Sequence, residues 1–399
     1  MRGAWRLVVC ALAVTGVVST ADAQRSSVRA ARGARVAARV RDTVQAVLDR
    51  ALADSAFPGA IAVVGSRRGA MATVAVGRLD ARDGTVPDLH TRWDLASLTK
   101  VVGTTTMVMQ LVDEGRIALD TPLVRYLPAW RGERADRITV RQLLTHASGL
   151  PAWRSFHKDA DDAAEARAQL LLVSPEAAPG TRYVYSDIGF LLLGRLVETM
   201  TAMRLDSAFA ARVARPLGLT ESGYLPAYEL RPVVAPTEFD SWRQRQVRGE
   251  VHDENAFRFG GVAGHAGLFA SAHDLARLAQ LLLGGGSLGG TRLVRAATLR
   301  EFTRVQDTLV SRRALGWETP TGGNSAGTRL SSRAFGHTGF TGTSLWIDPQ
   351  RDVFILLLTN RVNPSRENRR IGGVRTALAD AVIGALEGPR TPTTSARLP

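Results

Sequence analysis

Ser97-Leu98-Thr99-Lys100 sets a hydroxyl and an amine three residues apart at the head of an apolar run, VVGTTTMVMQLV. On a helix, positions three apart lie one above the other on the same face, so these side chains would meet. A serine hydroxyl is a poor nucleophile until a base takes its proton. A lysine can do so only where its surroundings depress its pKa and leave a neutral amine. Arginine stays protonated and cannot serve. The chain holds 51 Lys plus Arg, yet lysine occurs only at Lys100 and Lys158, so Lys at this place fits a group that must titrate. A helix start adds backbone N–H groups that stabilise negative charge on an attacked carbonyl. The other lysine repeats the spacing in Ser155-Phe156-His157-Lys158, but it leads into Asp159, Asp161 and Asp162, a solvated stretch that cannot neutralise an amine. Context separates the two pairs. Taken alone, Ser97 is also an ordinary helix-start residue with Lys100 snorkelling to solvent.

The elements that must position this pair follow from hydrophobic period. A helix is expected near Val44 to Asp54, then two strand-like runs, GAIAVVGS and MATVAVGRL, joined as a hairpin through Arg67, Arg68 and Gly69. From Ser97 to about Leu283 helical patterns dominate, including ITVRQLLTHASGLP with Thr139 as its cap, IGFLLLGRLVETM, SAFAARVARPLGL and SAHDLARLAQLLL. The strand period returns in FGHTGF, TSLWIDP and DVFILLLTN, and RTALADAVIGALE closes the pattern as a helix. Strands at both ends with helices between them predict an α+β fold. Its antiparallel sheet joins the N- and C-terminal segments, with flanking helices and an inserted mainly helical region over about 97–283.

At 399 residues and 45% hydrophobic content the chain can bury a large core. Arg2 and Arg6, the run LVVCALAVTGVVST and Ala21-Asp22-Ala23 form the positive end, short greasy stretch and small-x-small site of an export leader over residues 1–23. A secreted or periplasmic location follows, with no integral membrane span. The sole cysteine, Cys10, lies in that leader, which excludes disulfides and thiolate chemistry from the remainder. A formal charge of +14 could mark an anionic partner, but the arginines are scattered, as on a solvated surface, and no nucleic-acid partner is expected. The exception is Arg25, Arg29, Arg32, Arg35 and Arg39, spaced for one helix face. Among Ala, Ser and Val they read as a frayed basic tail or linker over 24–40. The main domain then spans 41–388, with a Pro/Thr/Ser tail over 389–399.

Two further motifs join the first. Tyr185-Ser186-Asp187 follows a Pro179-Gly180 turn, and His337-Thr338-Gly339 begins a strand. The order of SxxK, a Tyr-x-Asn-like triad and a Lys/His-Thr-Gly strand resembles the penicillin-recognising serine hydrolases: class C β-lactamases, D-alanyl-D-alanine carboxypeptidases and related esterases and amidases. LLTHASGLP, RPLGLTESGY and HTGFTGTSLWIDP look like family segments too, so the resemblance covers most of the chain. It implies Ser97 as nucleophile, Lys100 as its base or the base's partner, and Tyr185 as proton relay to the leaving group. The backbone N–H groups of Ser97 and Phe340 would form the oxyanion hole. His337, Thr338 and Gly339 would line the carboxylate-binding side. No cofactor is implied, and the substrate class is a peptidoglycan-derived peptide or amide, a β-lactam or an ester. A catalytically silent wall- or peptide-binding protein on the same fold is the competing expectation.

Two departures bear on mechanism. His337 stands where the family's β-lactamases carry Lys, a form found among its peptidases and esterases. Asp187 stands where the family usually has Asn, at a substrate-binding position. An ionised carboxylate accepts hydrogen bonds and cannot donate one, and near Lys100 it would favour the ammonium, leaving Tyr185 more of the base role. Within GEVHDENAFRFGGVAGHAGLF (Gly249 to Phe269), His252, Asp253, Glu254 and His265 lack the short-helix spacing of metal ligands, so no metal is expected. The segment resembles a cleft-bordering loop of the wall-acting branch, with His252 and Glu254 as substrate contacts. Gly323-Asn324-Ser325-Ala326-Gly327 matches a nucleophile elbow without the strand, helix and acid that elbow requires, and reads as a surface loop.

Overall fold

The computed structural model describes the backbone of residues 20–388 except 81, 83, 322 and 323, and the side chains from 24 onward except 26 among these. Residues 1–19 of the leader expected over 1–23, and the tail over 389–399, lie outside the described residues.

Val36, Val40, Val44 and Leu48 recur at one per turn, and Thr20–Ala53 is a continuous helix, α1. This corrects the expectation of a frayed tail over 24–40 and a helix starting only at Val44. The apolar stripe runs back through the arginine-rich stretch: Val40, Val44 and Leu48 are buried, and Arg39 Nε donates to the Ala385 carbonyl at 2.6 Å. Arg25, Arg29, Arg32 and Arg35 remain exposed. Ser55, in the left-handed region at φ 55°, ends the helix by letting Ala56 N–H return to the Ala51 carbonyl at 2.8 Å.

The expected hairpin is β1 (Gly59–Ser66) and β2 (Gly69–Gly77). Short strands β3 (Arg92–Asp94), β4 (Gly223–Tyr224) and β5 (Leu268–Ser271) make a separate sheet in the order β3-β5-β4. Near the C-terminal end, β6 (Phe335–Thr338), β7 (Ser344–Asp348) and β8 (Val353–Thr359) complete an antiparallel sheet ordered β6-β7-β8-β1-β2. Its central register, Ala60 opposite Thr359 through Gly65 opposite Phe354, joins the two ends of the chain.

Strand alternation divides the core between two layers. Ala60, Ala62 and Val64 pack with α1 and with α5 (Ile371–Glu387) on one face. Ile61 and Val63 pack on the other with Leu95, Leu98 and Val101 from the segment around Ser97. That second layer also contains α2 (Thr106–Asp113), α3 (Asp187–Thr201) and α4 (Ala272–Leu283). Thr139 caps the short helix Val140–Leu144 through a reciprocal capping box with Gln142. A groove of about 1230 Å³ between α1 and α5 lies on the sheet face away from Ser97. No helix among the described residues is long and apolar enough to cross a membrane.

Because α1 is anchored by its apolar stripe, Leu48→Ala should lower unfolding free energy by about 2–5 kcal/mol. Arg29→Ala should stay within about 0.5 kcal/mol of the parent. Urea denaturation of the two variants checks this.

Candidate active site

Strand β3 delivers the chain to Ala96, a non-glycine residue held at φ 46°. Such left-handed geometry costs about 1–2 kcal/mol. The buried Asp94 carboxylate holds the turn, accepting from Ala96 N at 2.8 Å and from His252 N at 2.6 Å. Burial pushes the Asp94 carboxyl upward despite these two bonds. Ser97 sits in the single 3₁₀ turn Ala96–Leu98, and Lys100 opens a π-helical stretch, Lys100–Thr105, that runs into α2. The wider π turn is a local irregularity of a kind concentrated at functional positions.

Lys100 is fully buried. Its Nζ donates to Ser97 Oγ at 3.1 Å and to the His265 carbonyl at 3.2 Å, and lies 2.7 Å from Asp187 Oδ1. The Tyr185 phenol faces both Ser97 and Lys100. Its ring centroid is 5.0 Å from Nζ. By contrast Lys158 is exposed, and Ser155 Oγ is spent on Asp159 at 2.7 Å.

Ser186 explains how its two neighbours reach the lysine. Its Oγ caps α3 by accepting from Gly189 N at 3.1 Å and donates to the Pro151 carbonyl at 2.6 Å. Tyr185 is thereby fixed just before the helix and Asp187 at its first residue. Ser186 N also donates to His146 Nδ1 at 2.9 Å. The His146 ring lies against Tyr185, with centroids 4.5 Å apart and 34° between planes, and against Phe190 at 5.2 Å. His146 was not singled out from sequence; the segment LLTHASGLP was its one signal.

The turn after β6 is stitched to the backbone preceding Ser97. Thr341 Oγ1 donates to the Asp94 carbonyl at 2.7 Å, and Thr343 Oγ1 to the Leu95 carbonyl at 3.1 Å. A Cβ on Gly339 would stand 2.1 Å from Thr343 Oγ1 and 2.4 Å from the Leu95 oxygen, so only glycine permits this approach. Among the described residues no acceptor is found for the N–H groups of Ser97 or Phe340. The turn thus packs the backbone at Gly339 against the residues just before Ser97.

His337 is buried, and its Nδ1 lies 2.7 Å from the Thr338 carbonyl. A carbonyl accepts only, so Nδ1 carries the proton and Nε2 is left as a lone pair. Its ring lies 6.1 Å from that of Tyr185. Burial, with Arg313 and Lys100 nearby, drives the imidazole pKa well down, so His337 is neutral and supplies no fixed charge for a substrate carboxylate. His146 is likewise held neutral by burial and the same two cations.

Burial is also the largest influence on Lys100 and pushes it toward the neutral amine. The charge of Asp187 and the contacts with Tyr185 together reverse that, and the net pKa is raised. The ammonium is the form that a carboxylate at Asp187 was expected to favour. Burial raises the Tyr185 phenol as well, opposed by Lys100 and reinforced by Asp187. The resting site therefore holds an ammonium and a neutral phenol.

His252 and Glu254 meet protein groups. His252 is buried, pairs through Nε2 with Glu238 at 2.7 Å, and stacks under Phe340 at 5.5 Å. Glu254 bonds to Arg366 at 2.6 Å. Their polar atoms are engaged with one another's neighbours, and the ring open to solvent is Phe340, 48% exposed. Ser325 lies in a turn, as expected for a loop. Asp187, Asp253 and His265 bring donor atoms within 4.8 Å of one another. Of these, Asp187 already pairs with the Lys100 ammonium and Asp253 with His265. Glu221, His273 and Asp274 form a second such group, outside this site.

A serine hydroxyl in contact with a buried lysine is the kind of arrangement that activates a hydroxyl, as in the serine hydrolases. Residues 44–379 match the family model described as Beta-lactamase. A curated relative from Salmonella schwarzengrund (strain CVM19633), named "Putative D-alanyl-D-alanine carboxypeptidase", is 32% identical over 316 residues, 71% of this chain and 72% of its own length. A penicillin-binding protein homologue from Caulobacter crescentus superposes with a TM-score of 0.72 at 22% identity, covering 87% of this chain and 98% of the other. A family VIII carboxylesterase gives 0.68 at 23% identity, with coverage of 87% and 98%. The chain belongs to the β-lactamase family, and its fold is shared by peptidase-like and esterase members.

Two outcomes are expected here. Gly339→Ala must displace the backbone before Ser97 and should cost about 10²-fold in kcat/KM on an activated ester. Gly372→Ala, with open space around it, should not, and steady-state assays of both check it. Glu238 is held down from 4.5 to about 2: burial raises it, but His252 and Arg366 more than offset that. A carboxyl depressed in the fold stabilises above its unfolded pKa, and this is lost as pH falls through the folded value. Glu238→Gln should therefore be less stable than wild type at pH 5, with the gap closing toward pH 2 in denaturation experiments.

Proposed function

We propose that this chain is an exported acyl hydrolase acting on peptidoglycan-derived peptides or amides, of carboxypeptidase or amidase type. The observation that carries the reading is the buried contact of Lys100 with Ser97, Tyr185 and Asp187. In this reading Ser97 Oγ attacks the scissile carbonyl, and the N–H groups of Ser97 and Phe340 receive the developing oxyanion. Tyr185 passes a proton to the leaving group, and water then cleaves the acyl-enzyme. Thr338 and Gly339 bound the acceptor side, and His337 orients Tyr185 as a neutral group. The name carried by the Salmonella relative supports the peptide class. Export rests on the basic, apolar and small-residue order of the first 23 residues.

One observation favours a second reading. A neutral His337 offers no charge to a terminal carboxylate, which suits an ester or an amide lacking one. Paired substrates with a free and an amidated C-terminus, tested beside short-chain esters and nitrocefin, separate the readings. Preference for the free acid supports the peptidase, and indifference supports the esterase.

Ser97→Ala should lower turnover of every accepted substrate at least about 10³-fold while leaving the melting temperature near that of wild type. Lys100→Ala should lose labelling of Ser97 by a fluorophosphonate probe. Mass spectrometry of the labelled peptide gives the readout.

A further inference from the structure

The Asp187 carboxylate, 2.7 Å from Lys100 Nζ, favours the ammonium, and burial favours the neutral Tyr185 phenol, so the serine proton needs another destination. The charge of Asp187 disfavours both usual bases, the amine and the phenolate. Yet Lys100 Nζ bridges the two groups that matter, 3.1 Å from Ser97 Oγ and 2.7 Å from Asp187 Oδ1. We propose that Asp187 is the terminal proton acceptor of this site, reached through Lys100. The proposal rests on the acyl-transfer reading given above.

The step balances without any external reagent. As Ser97 Oγ bonds to the electrophile, one Nζ–H proton moves to Asp187 Oδ1, and the lone pair this frees on Nζ takes the Ser97 proton. Lysine begins and ends as an ammonium, the carboxylate ends as a neutral acid, and the electrophile's π pair moves onto its oxygen. When the intermediate collapses, the bond to the leaving group breaks. The stored proton then returns through Lys100 and Tyr185 to that group. An asparagine amide could not take the proton, so the departure from Asn at this position becomes functional.

The groups facing Asp187 are Lys100, Tyr185, Asp253 and His265. Asp253 is unsuited to the role: its carboxylate is occupied by His265 Nε2 at 2.9 Å and Ala256 N at 2.7 Å, and His265 helps hold its pKa far down against burial. Asp187 Oδ1 is buried and paired by charge with Lys100 Nζ, and among the described residues it has no hydrogen-bond partner that would hold it back from taking a proton.

The test is the rate at which a fluorophosphonate labels Ser97, because fluoride leaves without protonation and the measurement isolates removal of the serine proton. Asp187→Asn should slow labelling by about 10²-fold or more with its circular dichroism unchanged. In the wild type, rates in H₂O/D₂O mixtures should follow a curved plot, as two protons in flight require. A linear plot, or an Asp187→Asn that labels at the wild-type rate or faster, overturns the proposal. The second of these would mean that the carboxylate only restrains the amine. The wild-type measurement stands if the variant does not fold. Undiminished labelling of Ser97→Ala would instead reject the nucleophile itself.

Discussion

A charge buried without a partner is among the costliest arrangements a protein can contain, several kcal/mol even after the surroundings relax. Lys100 would be such a charge, with no exposure to water, without the groups gathered around it. Its compensation comes from places far apart in the chain: the first residue of α3, the backbone carbonyl of His265 and the hydroxyls of Ser97 and Tyr185. The same contacts that make the ammonium tolerable bring the nucleophile and phenol together. Chemistry and stability are here one set of bonds, and a change to one alters the other.

The remainder of the site is a frame that denies these groups freedom. Ser186 spends both its hydroxyl and its amide on fixing the start of α3. His146 and Phe190 wall the tyrosine and lysine. Gly264 lets the His265 segment pass α3 closely: a Cβ there would meet the Phe190 carbonyl at 2.0 Å. Thr104 Oγ1 then ties the Gly264 carbonyl to the π-helical stretch at 2.7 Å. Placement therefore depends on small residues as much as on reactive ones.

The meeting of Ser97 and Lys100 was legible because it is local, a matter of helical period alone. So were the strands at both ends, whose short apolar runs in SLWI and VFILLL are buried on both faces. Protonation was less accessible. Asp187 as an obstacle to a neutral amine could be foreseen, but the neutrality of His337 depends on Arg313, a buried cation that no motif marks. The helix over 24–40 was missed because five arginines drew attention away from Val36 and Val40, which continue the stripe of Val44 and Leu48. His252 and Glu254 looked available because their partners, Glu238 and Arg366, lie outside the loop that contains them.

The pairing of β1 with β8 has a consequence for how the molecule comes into being. Ala60 waits for Thr359, so the central sheet closes only a contact of very long sequence separation. Such contacts form late, because loop-closure entropy precedes their reward. Any apparatus that threads this chain with its N-terminus leading releases the first hairpin long before the strand that covers its edge. That interval of unpaired backbone is when the protein is most exposed to its neighbours.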